Sequence, residues 1–220
     1  MWLTKLKEWL VNPPDPVLLV VQRTRVGKII EGLGKNGIIV DIGARSRRWP
    51  GVLAMDYRGD NIDIQGDAMK LPFLDGSLDG VISTYVLEHV QYPEQAIAEM
   101  HRVLKPGGIL YMETPFLFGF HGHVGGYSDY TRWTFKGLEQ LCSSFQSIET
   151  GVASGPASTI AHILREGIPV LMSSTDSRFY WGMRVLMGWL IFPLKYLDWK
   201  TLKHPNCVKI AATLYCKAIK

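Results

Sequence analysis

The sequence predicts an α/β protein: a doubly wound, Rossmann-like, mainly parallel seven-stranded sheet with a C-terminal antiparallel hairpin and a helical insertion before the last strand. Short apolar runs alternate with helical or loop crossovers over residues 37–115, the pattern of an open sheet covered on both faces. Acids recur at the ends of the first three runs, where such sheets bind ligands. The chain of 220 residues, 47% hydrophobic and 20% charged, has the composition of a folded globular protein and can bury one sizeable core.

Residues 2–11 place Trp2, Leu6, Trp9 and Leu10 on one face of a short amphipathic helix, which Asn12, Pro13, Pro14 and Pro16 stop. A second helix is predicted over 17–33, closed by Gly32 and Gly34. Four strands follow as GIIVDIG, GVLAMDY, IDIQGD and LDGVISTYV. PEQAIAEMHRVL is a helix with Ala96, Ile97, Met100, Val103 and Leu104 inward, stopped by KPGG before a fifth strand, ILYMETP. Beyond Phe116 the chain loosens into FGFHGHVGGYSDYTRWT, forms a helix at FKGLEQLCSSF, and closes with SIETGVAS and CVKIAATLYCKA, two strands placed to pair at the sheet edge.

A net charge of +4 without a dense Lys/Arg run argues against nucleic acid as a partner. Cys142, Cys207 and Cys216 have neither CxxC nor His-rich spacing, so no disulfide framework and no metal centre is expected, and the setting reads as a reducing cytoplasm. The N-terminus lacks the features of a secretory signal, and VLMGWLIFPL is about half the length of a membrane span.

The loop VDIGARSRRWPG concentrates the chemistry. Asp41 and Gly43 follow the first strand, Asp56 closes the second and Asp67 follows the third. A glycine in the first loop lets backbone approach a ligand, and an acid after the second strand can accept both hydroxyls of a ribose.

In their order and spacing, IIVDIGARS, AMD, GDAMKLPFLDGSLDGVISTYVLEHV and EMHRVLKPGGILYMETP resemble the class I S-adenosylmethionine-dependent methyltransferases, in the large group (methyltransferase type 11) that includes the ubiquinone and menaquinone C-methyltransferases. The resemblance implies S-adenosyl-L-methionine as cofactor. It implies that Asp41, Gly43 and Ala44 line its methionine part, that Asp56 holds the ribose with Tyr57 beside the adenine, and that Asp67 and Ala68 meet the adenine edge. Ser83 and Tyr85 would floor the pocket near the sulfonium. His89 of LEHV matches a position that is mostly a packing residue in the family. Arg45 and Arg47 depart from it, because glycine is usual at the first position and frequent at the second. The implied organisation is one methyltransferase domain over 1–220, with N-terminal helices at 1–34, a cofactor-binding core at 38–115 and a helical insertion at 155–205 that acts as a lid or as a membrane or oligomer contact.

For the acceptor side, FHGHVGGYSDYTRWT supplies His121, His123, Tyr127 and Asp129 as candidates for catalysis, beside Tyr130 and Arg132. Histidine ordinarily titrates near neutrality, which suits a general base. The equal alternative is a buried network of His121, Asp129 and Arg132 that fixes the loop. The loop and the insertion resemble a subgroup that accompanies polysaccharide biosynthesis and glycosyltransferase systems, which implies a sugar, glycan or lipid-linked acceptor. Trp181, Trp189, Tyr196 and Trp199, interspersed with Arg184, Lys195 and Lys200, suit a helix in a membrane interface, a homodimer contact or a lid. The expected function is therefore methyl transfer in the cytoplasm, peripheral to the inner membrane face, with a catalytically silent binding or scaffold protein as the alternative. A nicotinamide dehydrogenase is disfavoured, because GARSRR lacks the glycines that bring a helix N-terminus to a pyrophosphate.

Overall fold

The computed structural model describes residues 10–18, 20–34, 36–122 and 127–220. Most of the helix predicted over 2–11, and His123, lie outside the described residues.

The elements begin with α1 (Val20–Leu33), β1 (Ile39–Ile42), β2 (Val52–Asp56), β3 (Ile64–Gln65) and β4 (Leu78–Thr84). A 3-10 turn, Leu87–His89, leads to α2 (Pro93–Val103), β5 (Leu104–Pro115), α3 (Phe135–Leu141) and β6 (Ser147–Ser154). The remainder is α4 (Pro156–Met172), α5 (Arg178–Ile191), a 3-10 turn Phe192–Leu197, α6 (Asp198–Thr201), a 3-10 turn Pro205–Ile210 and β7 (Thr213–Ile219).

Among the described residues one seven-stranded sheet runs in the order β3-β2-β1-β4-β5-β7-β6. The pairs β1–β2, β2–β3, β1–β4 and β4–β5 are parallel, and β5–β7 is antiparallel. Strand order reverses between β1 and β4, which opens a crevice at their carboxyl ends.

The core explains why the central strands read as unbroken apolar runs. All four residues of β1 are buried, as are six of the seven in β4. Val26 of α1 packs with Ile39, Val52, Ile82 and Tyr111, flanked by Ile29, Ile30 and Leu33. Each such side chain contributes about 1.5–3 kcal/mol on burial. Gly80 gives Leu33 of α1 room against the sheet, since a Cβ there would lie 2.6 Å from Leu33 Cδ1 and push that side chain aside.

Several elements are shorter than the sequence reading has them, and two boundaries differ in kind. β5 begins at Leu104, so KPGG lies within the strand: Leu104 pairs with Leu78, pairing resumes at Ile109 with Gly80, and Lys105–Gly108 bulge opposite Asp79. The bulge is held because Lys105 Nζ donates to both Asp79 oxygens at 2.9 and 2.8 Å, and Gly107 N donates to Lys220 O. At the other end, the first part of CVKIAATLYCKA is 3-10 rather than strand: Pro205 opens the turn, and His204 Nδ1 accepts from Asn206 N.

The chain divides into two compact units. The sheet lies in Val21–Phe116, Phe120–Ala153 and Thr213–Lys220; the other unit comprises Met1–Val20, Leu117–Gly119 and Ser154–Ala212. Within the latter α4 packs on α5, Arg184 makes a two-point pair with Glu166, and no helix among the described residues is long and apolar enough to cross a membrane.

Candidate functional site

A cavity of about 320 Å³ opens at the carboxyl ends of β1, β2 and β4, at the small end of the range for small-molecule sites. Its lining includes Gly43, Asp56, Asp67, Tyr85, His89 and Tyr127.

The loop after β1 is pinned onto β2. Ala44 N donates to Met55 O, Arg47 N to Ala44 O and Arg45 N to Asp56 Oδ2 (2.8 Å). Gly43 has φ +71°, and a Cβ on it would stand 2.2 Å from Val86 Cγ2, so only glycine fits the bend. Arg45 takes a left-handed backbone (φ 50°), and its guanidinium lies 5.6 Å from the centre of the Tyr127 ring.

Arg47 does not face the cavity. It forms a two-point pair with Asp41, Nε to Oδ2 at 3.2 Å and Nη2 to Oδ1 at 3.1 Å, and Trp49 Nε1 donates to the same carboxylate. Asp41 is buried, and burial raises its carboxyl above the usual range against the downward pull of Arg47 and Trp49. Asp41 and Ala44 do not line the cavity; they brace the loop that does.

Asp56 is only 4% exposed at the cavity wall. Its Oδ2 accepts from Arg45 N, and Oδ1 accepts from Arg58 N at 3.3 Å and faces the Tyr127 hydroxyl at 3.5 Å. Main-chain donors on both oxygens fix the carboxylate and leave lone pairs for a diol. Tyr57 is half exposed beside it, with Arg58 5.6 Å from its ring centre. Asp67 is oriented by Met69 N, which donates to Oδ1 at 2.8 Å, and Ala68 lines the wall next to it.

Tyr85 lines the floor with φ 59°, its hydroxyl donating to Glu113 Oε2 at 3.2 Å. Ser83 is buried behind the lining, and its Oγ has no hydrogen-bond partner among the described residues. Sequence reasoning missed Glu113, a buried acid that also accepts from the Tyr111 hydroxyl at 2.5 Å and from Gln22 Nε2 at 3.2 Å. Burial pushes its carboxyl well up. The available signal was one acid inside the apolar strand ILYMETP.

Of the acceptor-side candidates, Tyr127 lines the cavity, while His121 and Asp129 stand outside its wall. Arg132 donates to both Asp129 oxygens, and His121 N donates to Oδ2 at 2.9 Å. The Arg132 guanidinium is the main reason that Asp129 is held down to about 2, which makes it a fixed anion and a poor proton acceptor at neutral pH. His89, expected to be packing, lines the cavity, and its ring meets that of His121 edge-on at 4.9 Å.

Residues 33–112 match the profile of a family described as Methyltransferase domain. An uncharacterized methyltransferase of Mycobacterium tuberculosis (strain ATCC 25177 / H37Ra) is 44% identical over 68 residues, 30% of this chain and 27% of the relative. The chain thus aligns with about a quarter of the length of that curated relative. Among solved structures, an S-adenosylmethionine-dependent methyltransferase from Archaeoglobus fulgidus superposes with a TM-score of 0.55 at 14% identity, covering 92% of this chain and 93% of that one. Phosphoethanolamine N-methyltransferase 2 of Haemonchus contortus, in complex with S-adenosyl-L-methionine, gives 0.54 at 16% identity, covering 90% and 52%. What these likenesses share with the sheet order above is the fold, so the chain carries the Rossmann-like fold of the methyltransferases.

Proposed function

We propose that the cavity takes S-adenosyl-L-methionine and that the chain transfers its methyl group to a small-molecule acceptor. The observation that carries this reading is the set of groups gathered at one cavity by three strand ends: Gly43, the desolvated Asp56, and Asp67 with Ala68. The match of residues 33–112 to the methyltransferase family supports it.

The donor set fits the cofactor. Asp56 is a rigid carboxylate with spare lone pairs for two hydroxyls, Asp67 is a second acceptor for an amino group, and Gly43 keeps the loop backbone bare. Once bound, S-adenosyl-L-methionine supplies a methyl carbon already activated by its sulfonium. The protein's part is then to orient, desolvate and align. Asp41, Arg47 and Trp49 hold the first loop, and Glu113 holds Tyr85 at the floor. Tyr127 stands between Arg45 and Arg58 at the cavity wall, placed to meet an acceptor. Asp129 and Arg132 fix the loop that presents it.

In this reading residues 38–115 are the cofactor-binding core of a single methyltransferase domain, and 155–205 are an insertion. A sugar, glycan or lipid-linked acceptor is favoured by the loop's resemblance to enzymes that accompany polysaccharide synthesis. The exposed Leu171, Trp181, Tyr196 and Trp199 support a peripheral membrane contact.

The test is calorimetric titration of the protein with S-adenosyl-L-methionine and S-adenosylhomocysteine, beside Asp56→Ala. Micromolar binding, about 8 kcal/mol, that weakens at least about tenfold in the variant is the expected result; no binding to the unaltered protein overturns the reading. The alternative, a silent binding protein, draws on the left-handed Arg45 in the cofactor loop. Transfer of labelled methyl to sugar or lipid-linked acceptors separates the two.

A further inference from the structure

Glu88 is fully buried in the turn after β4, and neither of its carboxylate oxygens has a hydrogen-bond partner among the described residues. A buried carboxylate without donors is costly unless positive charge faces it. Two imidazole nitrogens do face it: His121 Nε2 lies 3.7 Å and His89 Nε2 3.9 Å from Glu88 Oε1. One donor atom from each of the three residues lies within 4.8 Å of the other two.

Both rings are oriented from behind. His89 Nδ1 is 2.6 Å from Ser128 O, and His121 Nδ1 is 3.3 Å from Asp129 Oδ2. Arg132 Nη2 also lies 3.3 Å from His121 Nδ1, but its 2.6 Å bond to Asp129 Oδ2 is the shorter and charge-paired one. With the His121 proton on Nδ1, toward that carboxylate, the lone pair of Nε2 faces Glu88, and this is the tautomer that a bound cation would select over the one accepting from Arg132. A carbonyl or carboxylate on the far nitrogen, fixing the tautomer and raising basicity, is the usual support of a metal-binding histidine. The interplanar angle of 85° between the rings keeps them from stacking.

We propose that Glu88, His89 and His121 form a site for a divalent transition-metal ion of the zinc class. Two imidazoles and one carboxylate suit Zn²⁺, and three protein ligands leave a coordination position open. Bonds of about 2.1 Å set tetrahedral ligand atoms roughly 3.4 Å apart, which shifts of under about an ångström at each histidine would achieve. The site borders the cavity through His89, so the open position takes an oxygen of a hydroxyl or carboxylate acceptor. Ion binding stands on these side chains alone; the link to an acceptor rests on the methyl-transfer reading. Sequence spacing hid the cluster because its ligands come from two loops far apart in the chain.

The test uses tag-free, chelator-stripped protein titrated with zinc chloride by calorimetry, and with Co²⁺ by visible absorption. One Zn²⁺ per chain at micromolar affinity or better, with Co²⁺ bands of a four- or five-coordinate site, is expected. Glu88→Gln, which keeps the buried volume, and His121→Asn, at a more exposed position, should each weaken binding at least about tenfold while the thermal unfolding transition stays cooperative. Absence of stoichiometric binding, or equal binding in the parent and both variants, overturns the site. Binding of S-adenosyl-L-methionine, measured in parallel on the same samples, reports separately on the proposed cofactor cavity.

Discussion

At residue scale, the arginines in the loop after β1 divide into two roles. Arg47 neutralises a buried acid, while Arg45 uses its main chain to hold Asp56 and leaves its side chain at the cavity. Arg47→Ala strands Asp41 with Trp49 as its remaining side-chain donor, and should cost about 2–3 kcal/mol in denaturant unfolding. Gly43→Ala combines a left-handed backbone with a collision at Val86, so a loss of about 2–4 kcal/mol is expected, with weaker S-adenosyl-L-methionine binding by calorimetry. That Gly43 and Asp56 stand at the cavity was legible, because the crevice of such a sheet lies at its strand ends. The place of Glu88 was not, because nothing in LEHV shows that its carboxylate is sealed among histidines.

At the scale of elements, helix α4 shows how a distant side chain can complete a local structure. Its N-cap is Gly155, which has no side chain to offer, and the free N–H groups of the first turn are met by Asp198. The Asp198 carboxylate accepts from Gly155 N, Ala157 N, Ser158 N and Ser158 Oγ at 3.0, 2.9, 3.2 and 2.5 Å. Asp198→Ala removes the cap and leaves buried donors unmet, so about 3 kcal/mol should be lost, visible as reduced helical circular dichroism on mild heating. The sequence reading expected a helical insertion over 155–205 but could not see this cap, which comes from some forty residues further along. KPGG illustrates the converse: it reads as a helix stop, yet α2 has already ended at Val103, and Lys220, just past β7, bonds to Gly107 and Gly108 and draws that backbone into the sheet.

For the whole molecule, acid sensitivity tests the ion-pair network. Asp129, held to about 2 in the folded protein against an ordinary 3.8, contributes stability that is fully present above about pH 4 and is lost as pH falls toward 2. The difference in unfolding free energy between the unaltered protein and Asp129→Asn should therefore shrink by about 2 kcal/mol across that window. Asp41 and Glu113, raised by burial, act in the opposite sense in both proteins and cancel in the difference. A flat difference from pH 5 to pH 2 would show that Arg132 does not engage Asp129 in solution.

Apolar periodicity, helix stops and the recurrence of acids after strands were enough to determine the class of sheet, the order of its central elements and the positions Gly43, Asp56 and Asp67, because these follow from spacing within single segments. Tertiary structure alone decided which way Arg47 turns, which acids lose water, and that Glu88, His89 and His121 meet. Desolvation and convergence depend on what other segments cover a residue, and local sequence does not encode that.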